Sequence, residues 1–139
     1  MTVKLATAGR ICVITDKQYP HPYLINYAHI VDGLWYPGTA TKSAASSYRW
    51  YRDTFGGEYK ELDMGAAEVN LGCDGLMFHP YINGELTPYN DPKLCGSFIG
   101  VRAEHTKAHF TRAVLEGVSF SLLHSMMALN ELKIPHDSY

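Results

Sequence analysis

From Thr106 to about Lys133 the sequence keeps a helical period around a glycine, and that combination restricts the fold more than any other stretch. Phe110, Ala113, Val114, Val118, Leu122, Met126 and Leu129 recur at three- and four-residue spacing and define one apolar face. Ala113, Gly117, Ser121 and Ser125 form a ridge of small residues at four-residue steps. Glycine inside a helix costs about 1 kcal/mol against alanine, so the ridge predicts close packing against a neighbouring element. The preceding run, Gly96-Ser97-Phe98-Ile99-Gly100-Val101, is short, apolar and partly alternating, as a strand is. Its glycines suit a bend or a close backbone approach. Arg112 and Glu116 stand one turn apart as a surface pair, and Ile134-Pro135 stops the helix.

The sheet for this helix is sought upstream. Val3 to Thr7 and Ile11 to Thr15 are β-branched runs, and Ala8-Gly9-Arg10 between them reads as a hairpin turn. Leu24 to Val31 predicts a third strand, followed by a turn at Asp32-Gly33. Leu34-Trp35-Tyr36 begins a fourth short run that Pro37-Gly38 breaks. A helix follows from about Thr41 to Phe55, with Ala44, Tyr48, Tyr51 and Phe55 on one stripe, Thr39 or Thr41 as N-cap, and Gly56-Gly57 as its end. Tyr59 to Val69 predicts a shorter helix with Leu62 and Ala66 inward; Leu76-Met77-Phe78 is strand-like, and Pro80 to Pro92 is a long polar loop. The expected class is α/β, an antiparallel three-stranded meander followed by helices, with a short tail and no further strand after the last helix.

Totals matter here for what they exclude. A formal net charge of -2 with 19% charged residues gives no electrostatic footprint for nucleic acid or an acidic membrane. No apolar run reaches membrane-span length, and MTVKLATAGR has no secretory core. Cys12, Cys73 and Cys95 have no paired short spacing, which argues against a disulfide scaffold or zinc site and for a reducing cytoplasm.

Two places suit phosphate. The Thr7-Ala8-Gly9 turn would present backbone N–H groups and a hydroxyl as an anion nest. The helix start at Thr41-Lys42-Ser43 would offer free amides, a positive dipole end and a cation. Each also reads as an ordinary turn or cap. His105 and His109, at i and i+4, lack a third ligand for a metal. Glu85 is a site residue or a turn-stabilising carboxylate; Tyr48 and Trp50 belong to a helix stripe or stack on a ligand; Lys42 neutralises phosphate or is solvated.

The chain resembles the FGGY-type carbohydrate kinases, most closely the xylulokinase branch, from Leu5 to about Leu132. Ala6-Thr7-Ala8-Gly9 is similar to the family's G-T-[SA]-G phosphate hairpin, and Ser43 to Asp53 to its helix S-A-G-x-S-x-x-W-x-R-D. Gly75 to Phe78 and Pro80 to Pro88 resemble G-L-x-F-x-P-Y-x-x-G-E-R-T-P, and Gly96 to Leu122 resembles the second family signature. Ala6 and Ala45 replace usual glycines, and Leu86 replaces the arginine. The alanine methyls either are accommodated or weaken nucleotide binding.

The resemblance implies two RNase H-like domains of the actin and sugar-kinase type, with residues 1–139 opening the C-terminal, nucleotide-side one. It implies ATP and Mg²⁺ in the parent, and a pentulose such as D-xylulose as substrate. Thr7, Ala8, Gly9, Ala45 and Ser46 would form the phosphate cradle. No catalytic residue falls in this chain, because the base-bearing domain and the adenine-site segment have no counterpart here. The chain alone is expected to be inactive, cytoplasmic and self-associating, without nucleic acid or membrane partners. A non-catalytic association module and a pseudokinase of the same fold are the alternatives.

Overall fold

Residues 1–135 are described by a computed structural model; positions 136–139 of the expected tail lie outside the described residues. The β-branched opening forms β1 (Thr2–Leu5) and β2 (Gly9–Cys12), joined antiparallel with Leu5 opposite Gly9 and Thr2 opposite Cys12. The turn is Ala6-Thr7-Ala8, two residues earlier than the sequence indicates, so Gly9 and Arg10 belong to the second strand. The reason lies outside the hairpin: the Gly9 N–H donates to the Thr41 hydroxyl at 3.0 Å, and the Thr41 N–H donates back to the Gly9 carbonyl at 2.9 Å. These bonds hold Gly9 in the ladder.

β3 (Ile25–Ala28) and β4 (Trp35–Ala40) complete a four-stranded antiparallel sheet in the order β1-β2-β4-β3. The three-stranded meander of the sequence reading thus gains a strand, and it stands in the interior. β4 runs straight through Pro37-Gly38, although proline lacks an N–H and is normally confined to sheet edges. Pro37 fits because β2 has already ended at Cys12 where its N–H would be needed. Its carbonyl still accepts the Val13 N–H at 3.0 Å, and pairing resumes at Thr15 opposite Trp35.

α1 spans Ala45–Phe55, starting later than the sequence indicates. Neither predicted N-cap serves: Thr39 lies inside β4, and the Thr41 hydroxyl is taken by Gly9. The β1–β2 turn caps the helix instead. α2 (Tyr59–Ala67) buries Leu62 and Ala66 as its pattern predicts. A short 3₁₀ turn, Cys73–Gly75, leads into β5 (Met77–His79), which pairs antiparallel with β6 (Ser97–Ile99).

α3 spans Lys107–Glu131. Thr106 caps it reciprocally with His109, whose other ring nitrogen lies 3.3 Å from the Asp74 carboxylate; that accounts for the histidine without a metal. Its first half packs on β5, α1 and α2 over a core of Tyr51, Leu62, Leu76, Phe78 and Val114. Its second half packs on β2 and β4 over Ile11, Val13, Leu129 and Ile134. The ridge of small residues is buried throughout, and at Gly117 a Cβ would collide with the Phe78 carbonyl oxygen. Arg112 Nε donates to Glu116 at 2.7 Å, as their spacing predicts.

Candidate functional site

The β1–β2 turn and the start of α1 form one hydrogen-bonded unit. The Ala45 N–H donates to the Ala6 carbonyl at 2.9 Å. The Ala44 and Ser46 N–H groups both donate to the Thr7 carbonyl, at 3.0 and 3.2 Å. The Ser46 hydroxyl adds a fourth bond to Thr7 O at 2.8 Å. The sequence predicts free amides at this helix start, but the structure uses them inside the protein. Ala45 and Ser46 therefore brace the turn rather than present N–H groups to a ligand.

That bracing orients the turn. A trans peptide places its N–H opposite its C=O, so with the Ala6 and Thr7 carbonyls aimed at α1, the Thr7 and Ala8 N–H groups point away from it. Neither N–H has a protein partner among the described residues, nor has the Thr7 hydroxyl. Consecutive amides turned outward with a hydroxyl beside them are what an anion nest requires. Gly9 sits behind them, and a Cβ there would meet Leu122 at 2.7 Å and the Thr41 hydroxyl at 2.9 Å. Ala6 and Ala45 are absent from the residues with left-handed backbone, so neither methyl is conformationally strained.

A cavity of about 460 Å³ opens beside the turn, lined by Thr7, Ala8, Lys4, Arg10, Lys42 and Leu86 among others. Lys4 and Arg10 are cross-strand partners in the hairpin register. Like charges directly opposite repel, and neither side chain has an ion-pair partner among the described residues. The Arg10 guanidinium eases that repulsion by lying over the Tyr27 ring, 5.4 Å from its centre. Sequence reasoning named Lys42 but missed Lys4 and Arg10, because their meeting depends on a hairpin register fixed by Thr41. Another cavity, of about 520 Å³ beside Leu71 and Phe120, has Arg112 and Glu116 as the charged residues of its lining, and these two pair with each other.

Glu85 lies at the back of the site and is 1% exposed. Its Oε1 accepts the Lys42 and Leu86 N–H groups, each at 2.7 Å. Burial pushes the Glu85 carboxyl above the usual carboxylate range, opposed by those two amides and by the Ser121 hydroxyl alongside. Ser121 does not reach hydrogen-bond geometry with Oε2, which is buried without a partner. Tyr48 and Trp50 have structural roles. The Tyr48 hydroxyl donates to Asp63, and Trp50 stacks on Phe78 with ring centres 6.0 Å apart. Among the described residues no cluster of three or more His, Cys, Asp or Glu side chains could hold a metal.

The FGGY family of carbohydrate kinases, C-terminal domain, matches residues 11–138, a range that begins just after the β1–β2 turn. The xylulose kinase of Lactococcus lactis is 44% identical over 134 residues, covering 94% of this chain and 27% of that protein. The gluconokinase of Bacillus subtilis is 35% identical over 144 residues, with 94% and 28% covered. The crystal structure of a xyloylose kinase from Brucella ovis superimposes with a TM-score of 0.85 at 32% identity, covering 94% of this chain and 28% of that one. The chain thus spans little more than a quarter of the length of these relatives. Its α/β architecture, an antiparallel sheet followed by helices, is that of the sugar-kinase fold, and the chain belongs to the FGGY family of carbohydrate kinases, within the C-terminal domain.

Proposed function

We propose that this chain holds the terminal phosphates of ATP for an ATP-dependent sugar kinase of the xylulokinase type, with a pentulose such as D-xylulose as acceptor. The observation that carries this reading is the convergence of the outward Thr7 and Ala8 amides with Lys4, Arg10 and Lys42 on one cavity. Phosphoryl transfer depends on positioning and on stabilising charge at the transferring oxygens. Backbone amides held by a helix start perform that role without reorganising. Thr7, Ala8 and Gly9 form the cradle wall, with Ala45 and Ser46 behind it. Bound ATP supplies the γ-phosphoryl group. The cavity lining holds cations and amides and no carboxylate, so Mg²⁺ would be carried by the phosphate oxygens and waters rather than by these residues. The base that accepts the sugar proton lies outside these residues, so the isolated chain phosphorylates nothing.

Amide shifts of the chain titrated with Mg²⁺-ATP test the cradle. Thr7 and Ala8 should move first, and Thr7→Val should weaken binding about tenfold through loss of one hydrogen bond to a charged oxygen. Unmoved hairpin amides, or equal affinity in the variant, would refute the reading. So would phosphorylation of D-xylulose by the purified chain.

The same reading carries two further proposals. Three free thiols, two of them buried, suit a cytoplasmic location. Phe120, Leu123 and Met127 on the outer face of α3, with Val3 and Leu5 on the edge strand β1, support self-association of the chain. No helix among the described residues is long and apolar enough to cross a membrane.

A further inference from the structure

The buried carboxylate behind the cradle is out of proportion to an ordinary turn. A loop between β5 and β6 needs no ionisable group in a dry position, and burying one is costly unless its hydrogen bonds are made. Here Oε1 is satisfied twice and Oε2 not at all. What the carboxylate touches explains its place. Glu85 is locked from behind, because its N–H and C=O both bond the backbone of Asp91, at 2.9 and 3.0 Å. From that fixed point three straps cross to the strand-to-helix connection. Asn83 Nδ2 donates to the Ser43 hydroxyl at 3.2 Å, and the Lys42 N–H donates to Glu85 at 2.7 Å. Thr87 pairs with Ala40 in both directions, at 3.0 and 3.3 Å. The straps bracket one residue, Thr41, and Thr41 holds both backbone groups of Gly9.

We infer that Glu85 is a positioning residue for the phosphate cradle: through Lys42 it fixes Thr41, and through Thr41 it fixes Gly9 and the outward amides of the turn. The same bond holds the backbone of Lys42, which lines the cavity. Glu85 does not itself line that cavity, so its influence on a phosphate is indirect. Only this influence on phosphate rests on the function proposed above; the mechanical link exists in the free protein. A central strap is the effective one. Loss of the Asn83 side chain leaves Ala40 and Lys42 tied on either side of Thr41, and loss of the Thr87 side chain leaves its N–H on the Ala40 carbonyl, whereas loss of Glu85 frees the residue next to Thr41 and leaves two amides without acceptors.

Amide hydrogen exchange on the ligand-free chain, followed by titration with tripolyphosphate, tests both halves. Glu85→Gln keeps an oxygen where Oε1 stands, so Gly9 and Lys42 should exchange as in the wild type and affinity should stay within about twofold. In Glu85→Met those two amides should exchange at least about tenfold faster while the α3 interior is unchanged, and tripolyphosphate should bind about tenfold more weakly. Where the methionine variant fails to fold, Glu85→Asp, one methylene short of Lys42, should give the same local acceleration. Unchanged exchange at Gly9, acceleration spread evenly over α3, or failure of glutamine to preserve the wild-type pattern would overturn the assignment. A wild-type chain that binds no tripolyphosphate would instead refute the proposed function, since the exchange result is read without ligand.

Discussion

Gly117→Ala is the sharpest test of how α3 meets the sheet, because helix propensity and packing predict opposite signs. On propensity alone the change should stabilise by about 1 kcal/mol. In the structure an added Cβ falls closer than the 3.0 Å that real Cβ atoms essentially never show, and the atom it meets is the Phe78 carbonyl oxygen. That oxygen belongs to β5 and cannot rotate away as a side-chain end can. The Phe78 carbonyl carbon and Cβ would also lie at 3.1 and 3.2 Å. Helix and strand must therefore part by roughly 1 Å, and a gap of that size forfeits about a quarter to a half of each dispersion contact across it. Overpacking of this kind costs about 1–3 kcal/mol, and a backbone obstacle belongs at or above the top of that range. After the propensity gain, the net loss should be about 2 kcal/mol, a fall in Tm of roughly 8 °C for a chain of this length. Gly65→Ala is the control. It lies in the interior of α2, where a Cβ would make an ordinary 3.6 Å contact with Ala108, so that variant should gain about 0.5–1 kcal/mol. Thermal and urea denaturation of both variants beside the wild type give the answer. A Gly117→Ala protein as stable as the wild type would show that the ridge is not a close-approach surface.

Two further outcomes follow from features outside that interface. Sedimentation equilibrium at micromolar concentration should show a dimer or larger species, reduced by Leu123→Glu on the exposed face of α3; a 15.6 kDa monomer would refute the association. Because burial raises the folded-state pKa of Glu85, its contribution is fully present below the unfolded carboxyl value and is lost as pH rises through the folded one. Melting curves from about pH 4 to 8 should therefore show Glu85→Gln gaining on the wild type as pH increases through that window. A constant difference would mean that Glu85 is not perturbed.

The elements legible in the sequence are those whose signal is local. The period from Phe110 to Leu129, the Arg112–Glu116 pair and the end of α1 at Gly56 needed only neighbours in the chain. What escaped depends on partners far away in sequence. β4 crosses Pro37 because β2 happens to stop opposite it, and the hairpin turn shifts by two residues because Thr41 captures Gly9. The site divides the same way. Thr7, Ala8 and Gly9 are recognisable from their motif, but Lys4 and Arg10 meet only once the register is known. The free amides expected at the helix start were assigned to the wrong element: the donors that face outward belong to the turn, since it has taken those of the helix.

The capping of α1 by a β-turn has an electrical consequence. The Ala6 and Thr7 peptide units lie head to tail with the amides of the helix, so their dipoles add to the end of its column instead of opposing it. The positive pole of α1 is carried outward by one peptide layer and emerges at the Thr7 and Ala8 N–H groups, each polarised by the bond behind it. An anion there would meet a terminal that has no side-chain charge to titrate and no rotamer to order. Such a terminal keeps its sign across the pH range in which histidines and carboxylates exchange protons, so long as the peptide planes hold their direction.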